Sequence, residues 1–224
     1  MSKDKSLTAV EYALSLLEDG QVIGLGTGRA ATAFVKGLAK QFLRGLWLRG
    51  VPTSKETERL ARKLNVPLIT LDKVETLDLA VDGADEVDPA LNLIKGKGGA
   101  LVREKIVAAA ARKLVIIVGP EKLVPVLGTH GLLPVEVVPF GRSYCERELA
   151  KLGCKPKLRR KGSSPFVTDN GNHILDCEVS PLRRPRELEQ RITAIPGVVG
   201  TGLFLEMADI VLVQHDHDVE VRRR

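Results

Sequence analysis

The sequence predicts an α/β fold: a parallel sheet covered on both faces, with a small α+β domain inserted late in the chain. Three observations predict it. Short apolar runs alternate with helical stretches as far as Val118. Those runs are apolar throughout and do not alternate with polar residues, as in strands buried on both sides. After about residue 128 the pattern changes to short strands, an Asn-Gly turn and two helices.

The elements follow in order. Leu7, Val10, Ala13, Leu14 and Leu17 share one helical face over residues 7–18, and Asp19-Gly20 stops that helix. Val22-Ile23-Gly24-Leu25 reads as a buried strand, Gly26-Thr27-Gly28 as a turn and residues 30–43 as a helix. Residues 46–51 form a second strand ending at Pro52-Thr53-Ser54, followed by a helix over 56–64. Strands are expected at 67–71 and 77–81, an alanine-rich helix at 100–112 and a continuous apolar strand at 114–118. Beyond it, strands are expected at 134–139, 157–160, 166–168 and 173–179, with helices at 143–152 and 186–195. Asp169-Asn170-Gly171-Asn172 is a hairpin turn, since Asn-Gly tolerates positive φ. A strand at 198–205 and an apolar strand at 209–213, which rejoins the main sheet, complete the reading. The expected domains are residues 1–128 with 206–224, and a small domain at 129–205 that takes part in oligomer contacts.

Composition narrows the function. In 224 residues, 44% apolar content supports a sizeable core. No apolar run reaches the roughly 20 residues needed to span a bilayer, and the N-terminus lacks a signal-peptide core, so the chain is read as cytoplasmic. Cys145, Cys154 and Cys177 form no C-x-x-C pair and fit a reducing compartment as small core residues. A net charge of +6 favours anionic partners. With aromatics at 4%, base stacking is poorly served and nucleic acid is disfavoured relative to small phosphorylated molecules.

Four expected strand ends are polar: Gly26-Thr27-Gly28, Pro52-Thr53-Ser54-Lys55, Asp82-Gly83-Ala84-Asp85 and Gly119-Pro120-Glu121-Lys122. In open parallel sheets ligands bind beyond the carboxyl ends of the strands, so these clusters are expected to face one crevice. Gly24-Leu25-Gly26-Thr27-Gly28 opens a helix, where backbone amides and the helix dipole favour an anion. It is not G-x-G-x-x-G, and Thr53-Ser54-Lys55 stands where a dinucleotide site wants an acid, which argues against NAD. Asp82, Asp85, Glu86 and Asp88 read as a catalytic group, a Mg²⁺ site or a solvated turn. Gly83 and Ala84 suggest a ligand approaching the backbone, and Glu86 and Asp88 are expected to face solvent. Lys95-Gly96-Lys97-Gly98-Gly99 supplies positive charge and flexible backbone before the helix that carries Glu104. Glu104 either answers the helix dipole, pairs with Arg103 or Lys105, or points into the crevice as a general base. His215-Asp216-His217-Asp218 is read as an exposed turn in a polar tail, in preference to a metal site.

In these segments the chain resembles the type A ribose-5-phosphate isomerases, pentose-phosphate enzymes. The matching residues are Gly24 to Gly28, Gly50 to Ser54, Asp82 to Glu86 and Lys95 to Val107, then Pro134 to Pro139, Thr168 to Asn172 and Ile195 to Val199. They run in family order across nearly the whole chain. The resemblance implies a Rossmann-like domain with a smaller α+β, ferredoxin-like domain, a homodimer or dimer of dimers, and no metal or organic cofactor. It implies interconversion of ribose 5-phosphate and ribulose 5-phosphate through a cis-enediolate. Glu104 is then the general base, with Asp82, Asp85 and Lys95 lining the active site. Substrate binding falls to Thr27, Gly28, Arg29 and Ala30 at the phosphate, to Gly83, Ala84, Gly96, Lys97 and Gly98, and to Lys122. The chain departs from the family at Arg29-Ala30, where Ser-Thr is usual, and at Lys97, where glycine is frequent. Arg29 either grips phosphate bidentately or leaves that work to Thr27, Thr32 and backbone amides. Lys5 lies only near the position of the family's N-terminal lysine. A sugar-phosphate-binding regulator would keep the phosphate loop and lack the base, so Glu104, Asp82 and Asp85 speak for an enzyme.

Overall fold

The computed structural model describes residues 2–4, 7–216 and 218–224. Lys5 and His217 lie outside the described residues. In chain order the strands begin with β1 (Ser2–Asp4), β2 (Val22–Leu25), β3 (Arg49–Pro52), β4 (Leu79–Asp82), β5 (Glu86–Val87), β6 (Leu93–Ile94), β7 (Leu114–Val118) and β8 (Leu132–Val137). They continue with β9 (Lys155–Leu158), β10 (Arg160–Lys161), β11 (Ser164–Pro165), β12 (His173–Glu178), β13 (Val198–Thr201), β14 (Leu203–Phe204), β15 (Ile210–Gln214) and β16 (Val219–Arg223). The helices are α1 (Ala9–Ser15), α2 (Arg29–Phe42), α3 (Lys55–Lys63), α4 (Leu101–Ala110), α5 (Arg142–Lys151) and α6 (Pro185–Thr193). Two compact units result: Met1–Ala84 with Arg103–Lys122 and Met207–Arg224, and Asp85–Val102 with Leu123–Glu206.

The first unit is Rossmann-like. Its seven-stranded sheet has the order β1-β16-β15-β7-β4-β2-β3. The strands from β3 to β15 pair in parallel, and β16 and β1 close the other edge antiparallel. Counted by appearance, the parallel strands run 2-1-3-4-5, which places a topological switch point between β2 and β4. Ala31, Phe34, Val35 and Leu38 are buried at helical spacing, and Phe34, Val35 and Leu38 pack one face of α2 into the core with Ile23, Leu25, Val81 and Val115. Each large apolar side chain so buried contributes roughly 1.5–3 kcal/mol. A reciprocal cap between Thr8 and Glu11 starts α1, and the Ser54 hydroxyl accepts the Thr57 N–H to start α3.

The second unit is ferredoxin-like. Its elements run β8-α5-β9-β12-α6-β13, and its sheet, antiparallel throughout, has the order β13-β8-β12-β9. Leu133, Val135, Val137, Leu175 and Cys177 face Cys145 and Leu149 of α5 and Ile192 of α6. All three cysteines are buried and unbridged. A separate three-stranded sheet, β14-β6-β5, also belongs to this unit.

Several expectations need correction. The division differs from 1–128 plus 206–224, because β5 and β6 pair with β14 and draw Asp85–Val102 into the second unit. Residues 67–71 make one bridge, Gly50 to Leu68, and not a strand: Pro67 has no N–H to give and a 3-10 turn follows at Leu71–Lys73. Residues 198–205 split between two sheets at Gly202, whose N–H turns to the Pro134 carbonyl (2.7 Å). Residues 166–168 give only a bridge from Val167 to His173, while β10 and β11 form a hairpin before them. The supposed polar tail is strand β16, with Val219 and Val221 inward.

Candidate active site

The carboxyl ends of β2, β3, β4 and β7 carry the polar clusters of the first unit along one sheet edge. At the switch point the loop after β2 is fastened to the end of β4. Asp82 Oδ1 accepts the N–H of Thr27 (3.1 Å) and of Gly83 (2.8 Å), and Asp82 is 4% exposed. Gly26 permits this. A Cβ there would lie 2.3 Å from Asp82 Cγ and 2.6 Å from the Val81 carbonyl oxygen. Gly26→Ala is therefore expected to cost about 1–3 kcal/mol of stability, the scale of overpacking, read as a lower denaturation midpoint; an unchanged midpoint would show that Asp82 has room to retreat.

Hydroxyls complete the grip. Thr27 Oγ1 lies 2.8 Å from Thr53 Oγ1 and 2.9 Å from Ser54 Oγ. Thr57 Oγ1 donates to the Gly26 carbonyl at 2.8 Å. The Gly26-Thr27-Gly28 turn is thus held by backbone and side chains of β3, α3 and β4. Gly28, at φ 95°, is the N-cap of α2 and gives that helix's first amides no side-chain cap. Arg29 is exposed at the first position of α2. Ala30 packs toward Gly83, where a Cβ would meet only ordinary contacts, Ala30 Cβ at 3.7 Å and the Ile117 carbonyl at 3.6 Å. The chain's own packing does not require glycine at 83. Lys122 ends the 3-10 turn Pro120–Lys122 beyond β7 and is partly buried.

Glu104 sits in the first turn of α4 and is 5% exposed. Leu101, Val107 and Ala108, at three and four residues from it, are buried too. Glu104 is therefore a carboxylate set into the helix's apolar stripe, in the first turn, where an acid also answers the helix dipole. Val107 packs where a Cβ on Gly24 would stand, so α4 lies close on β2.

In the second unit, Lys95 is 3% exposed with Nζ 5.5 Å from the Phe204 ring centroid. Its N–H bonds to the Gly202 carbonyl (2.9 Å). Asp85 Oδ2 accepts the Lys97 N–H (3.0 Å). Gly96 is buried, whereas Lys97 and Gly98 form the exposed tip of the loop. The chain passes between the two units at Ala84-Asp85 and again at Val102-Arg103, inside the two motif segments.

Glu86 does not face solvent, and Asp88 is half-buried. Glu86 is 1% exposed and accepts the N–H groups of Gly128 and His130, both at 2.6 Å. Two charge-assisted bonds offset its desolvation and tie β5 to the loop before β8. Asp88 caps the backbone and side chain of Asn92, at 2.8 and 3.0 Å. At the other end of the chain, His215 joins β15 to β16 and lies 3.3 Å from Glu220. Among the described residues no group of three metal-ligating side chains occurs. Nor is any described helix long and apolar enough to cross a membrane. The sequence reading gives no role to Thr57 or Arg159 and turns Glu86 outward; only Thr57 carries a local signal, three residues after a capping serine.

The sequence model of ribose 5-phosphate isomerase A (phosphoriboisomerase A) matches residues 49–218. A ribose-5-phosphate isomerase A of Roseiflexus sp. (strain RS-1) is 52% identical over 208 residues, covering 92% of this chain and 89% of that protein. The solved ribose 5-phosphate isomerase A of Methanocaldococcus jannaschii superposes with a TM-score of 0.92 at 39% identity, over 99% of each chain. A D-ribose-5-phosphate isomerase solved in complex with phospho-erythronic acid gives 0.93 at 40% identity, over 96% of each chain. With the family matched over most of its length and relatives of about half-identical sequence, the chain belongs to the ribose 5-phosphate isomerase A family.

Proposed function

We propose that this chain interconverts ribose 5-phosphate and ribulose 5-phosphate through a cis-enediolate, with Glu104 as the proton carrier. The observation that carries the reading is Glu104 itself, a buried carboxylate in an otherwise apolar helix stripe, five residues after the Lys95–Gly99 loop. After the sugar ring opens, Glu104 takes the proton from C2 and electron density moves to the carbonyl oxygen on C1. The same proton returns to C1 while the O2 hydroxyl proton passes to O1, leaving a ketone at C2. Lys95, with loop amides in support, stabilises the oxyanion that develops. Asp82 and Asp85, each fixed by backbone N–H bonds, hold sugar hydroxyls and assist ring opening. The phosphate binds at the start of α2 among Thr27, Gly28, Arg29 and Ala30, with Lys122 as a further contact. Anchoring it supplies remote binding energy that sets the reacting carbons against Glu104. A relative binds phospho-erythronic acid, a phosphorylated polyhydroxy acid, which is the ligand class this reading asks for.

The reading also takes the enzyme to be cytoplasmic, in keeping with three unbridged cysteines, and a homodimer or dimer of dimers. The test is to add ribose 5-phosphate to metal-free protein and follow ketopentose formation. Turnover without added metal is expected, and its absence would overturn the proposal. Arg29→Ala is expected to raise KM for ribose 5-phosphate about threefold to tenfold, the scale of a partly exposed charged hydrogen bond. An unchanged KM would say that the guanidinium does not touch the phosphate.

A further inference from the structure

Arg159 lies in the turn between β9 and β10 and is gripped on three sides. Its Nε and Nη2 donate to Asp176 at 2.8 and 2.5 Å. Its Nη1 donates to two successive carbonyls, Gly96 at 2.8 Å and Lys97 at 3.1 Å. Its guanidinium stands 5.9 Å from the Phe166 ring centroid. Phe166 in turn packs against Gly99, where a Cβ would come within 2.5 Å of the ring and φ is +85°. The Arg159 and Asp176 side chains are only 15% and 24% exposed. A planar fork suits this task, since it serves a carboxylate with one edge and two carbonyls with another.

The consequence follows from peptide planarity. Across a trans peptide the C=O and N–H point in opposite directions. With the Gly96 carbonyl turned to Arg159, the Lys97 N–H points the other way, and there it meets Asp85 Oδ2 at 3.0 Å. With the Lys97 carbonyl also turned to Arg159, the Gly98 N–H is directed away from the guanidinium as well. Two successive amides aimed to one side make an anion-accepting concavity. We infer that Arg159, seated by Asp176 and Phe166, is a positioning residue for the isomerisation. It fixes the Lys95–Gly99 loop so that Lys97 N–H orients Asp85 and Gly98 N–H is turned away from the guanidinium. This rests on the assignment of Asp85 and Lys95 above. Arg159 touches no reacting atom itself.

The test compares Arg159→Ala with wild type by steady-state kinetics on ribose 5-phosphate and by hydrogen exchange at the Lys97 amide. Expected are faster exchange at Lys97 and a kcat lowered about 10- to 100-fold, the cost of a misplacement near 1 Å, with KM within about threefold. Unchanged exchange overturns the clamp. Faster exchange with unchanged kcat overturns its catalytic role. Losses in kcat that only track the folded fraction also overturn it. If Arg159→Ala does not fold, Asp176→Asn serves: it keeps the arginine, weakens its seat, and is expected to move the same two readouts in the same direction by less. Glu104→Gln run alongside separates the two proposals. Near-normal turnover in that variant sinks the proton-carrier reading yet leaves the exchange and kcat results for Arg159 standing.

Discussion

Glu104→Gln is expected to lower kcat by about 10²- to 10⁴-fold, the usual range for loss of general acid–base catalysis, with KM for ribose 5-phosphate nearly unchanged. Glutamine keeps the size and shape of the side chain, so the stripe formed with Leu101, Val107 and Ala108 stays filled. What disappears is the ability to hold a proton between two carbons. Substrate affinity should survive, because the proposed phosphate contacts stand at the start of α2 and at Lys122. Glu104→Asp keeps the carboxylate and withdraws it by one methylene. Misplacement near 1 Å costs about 10²-fold, so this variant should also be slow, although it keeps a carboxylate. Circular dichroism and the thermal midpoint must show both variants folded, so that the loss belongs to chemistry. Turnover within a few-fold of wild type in Glu104→Gln would remove Glu104 from the reaction.

How legible this was depended on the range of the interactions. Val22 to Leu25 and Leu114 to Val118 are unbroken apolar runs, and such runs can be read as parallel strands without knowing their neighbours. The polar strand ends then placed Thr27, Asp82 and Lys122 at one sheet edge. Strand β16 is hidden in the sequence because Val219-Glu220-Val221-Arg222 alternates, and an alternating strand at the chain's end looks like a charged tail. Glu86 was misjudged because the amides that satisfy it lie 42 and 44 residues away. Arg159 looked like one more scattered basic residue, since its carbonyl partners are 63 and 62 residues distant. Glu104 is the instructive case. Its spacing of three from both Leu101 and Val107 is present in the sequence and marks the buried face. An alanine-rich helix blurs its own phase, because alanine is at home on either face.

Lys95→Met is the second substitution expected to act strongly, lowering kcat by about 10²- to 10³-fold, as loss of an oxyanion-stabilising group does. The position is buried, with Nζ over the Phe204 ring and the backbone fastened to Gly202. An ammonium held this far from water acts on developing charge with little solvent screening. Methionine matches lysine closely in length and packs well on an aromatic ring, so the loop's anchorage to Gly202 and Arg159 should persist. Lys95→Arg is not a rescue, because a planar guanidinium does not fit where a point charge sits. The sharper readout is inhibition by phospho-erythronic acid, the ligand of a solved relative. On the proposed mechanism, its carboxylate would offer Lys95 the negative charge that the enediolate develops. Lys95→Met should therefore weaken this acid about tenfold or more while KM for ribose 5-phosphate moves little, because only interactions stronger in the transition state than in the ground state accelerate the step. Inhibition as strong as in wild type, together with normal kcat, would mean that the charge born on oxygen is answered by some other group.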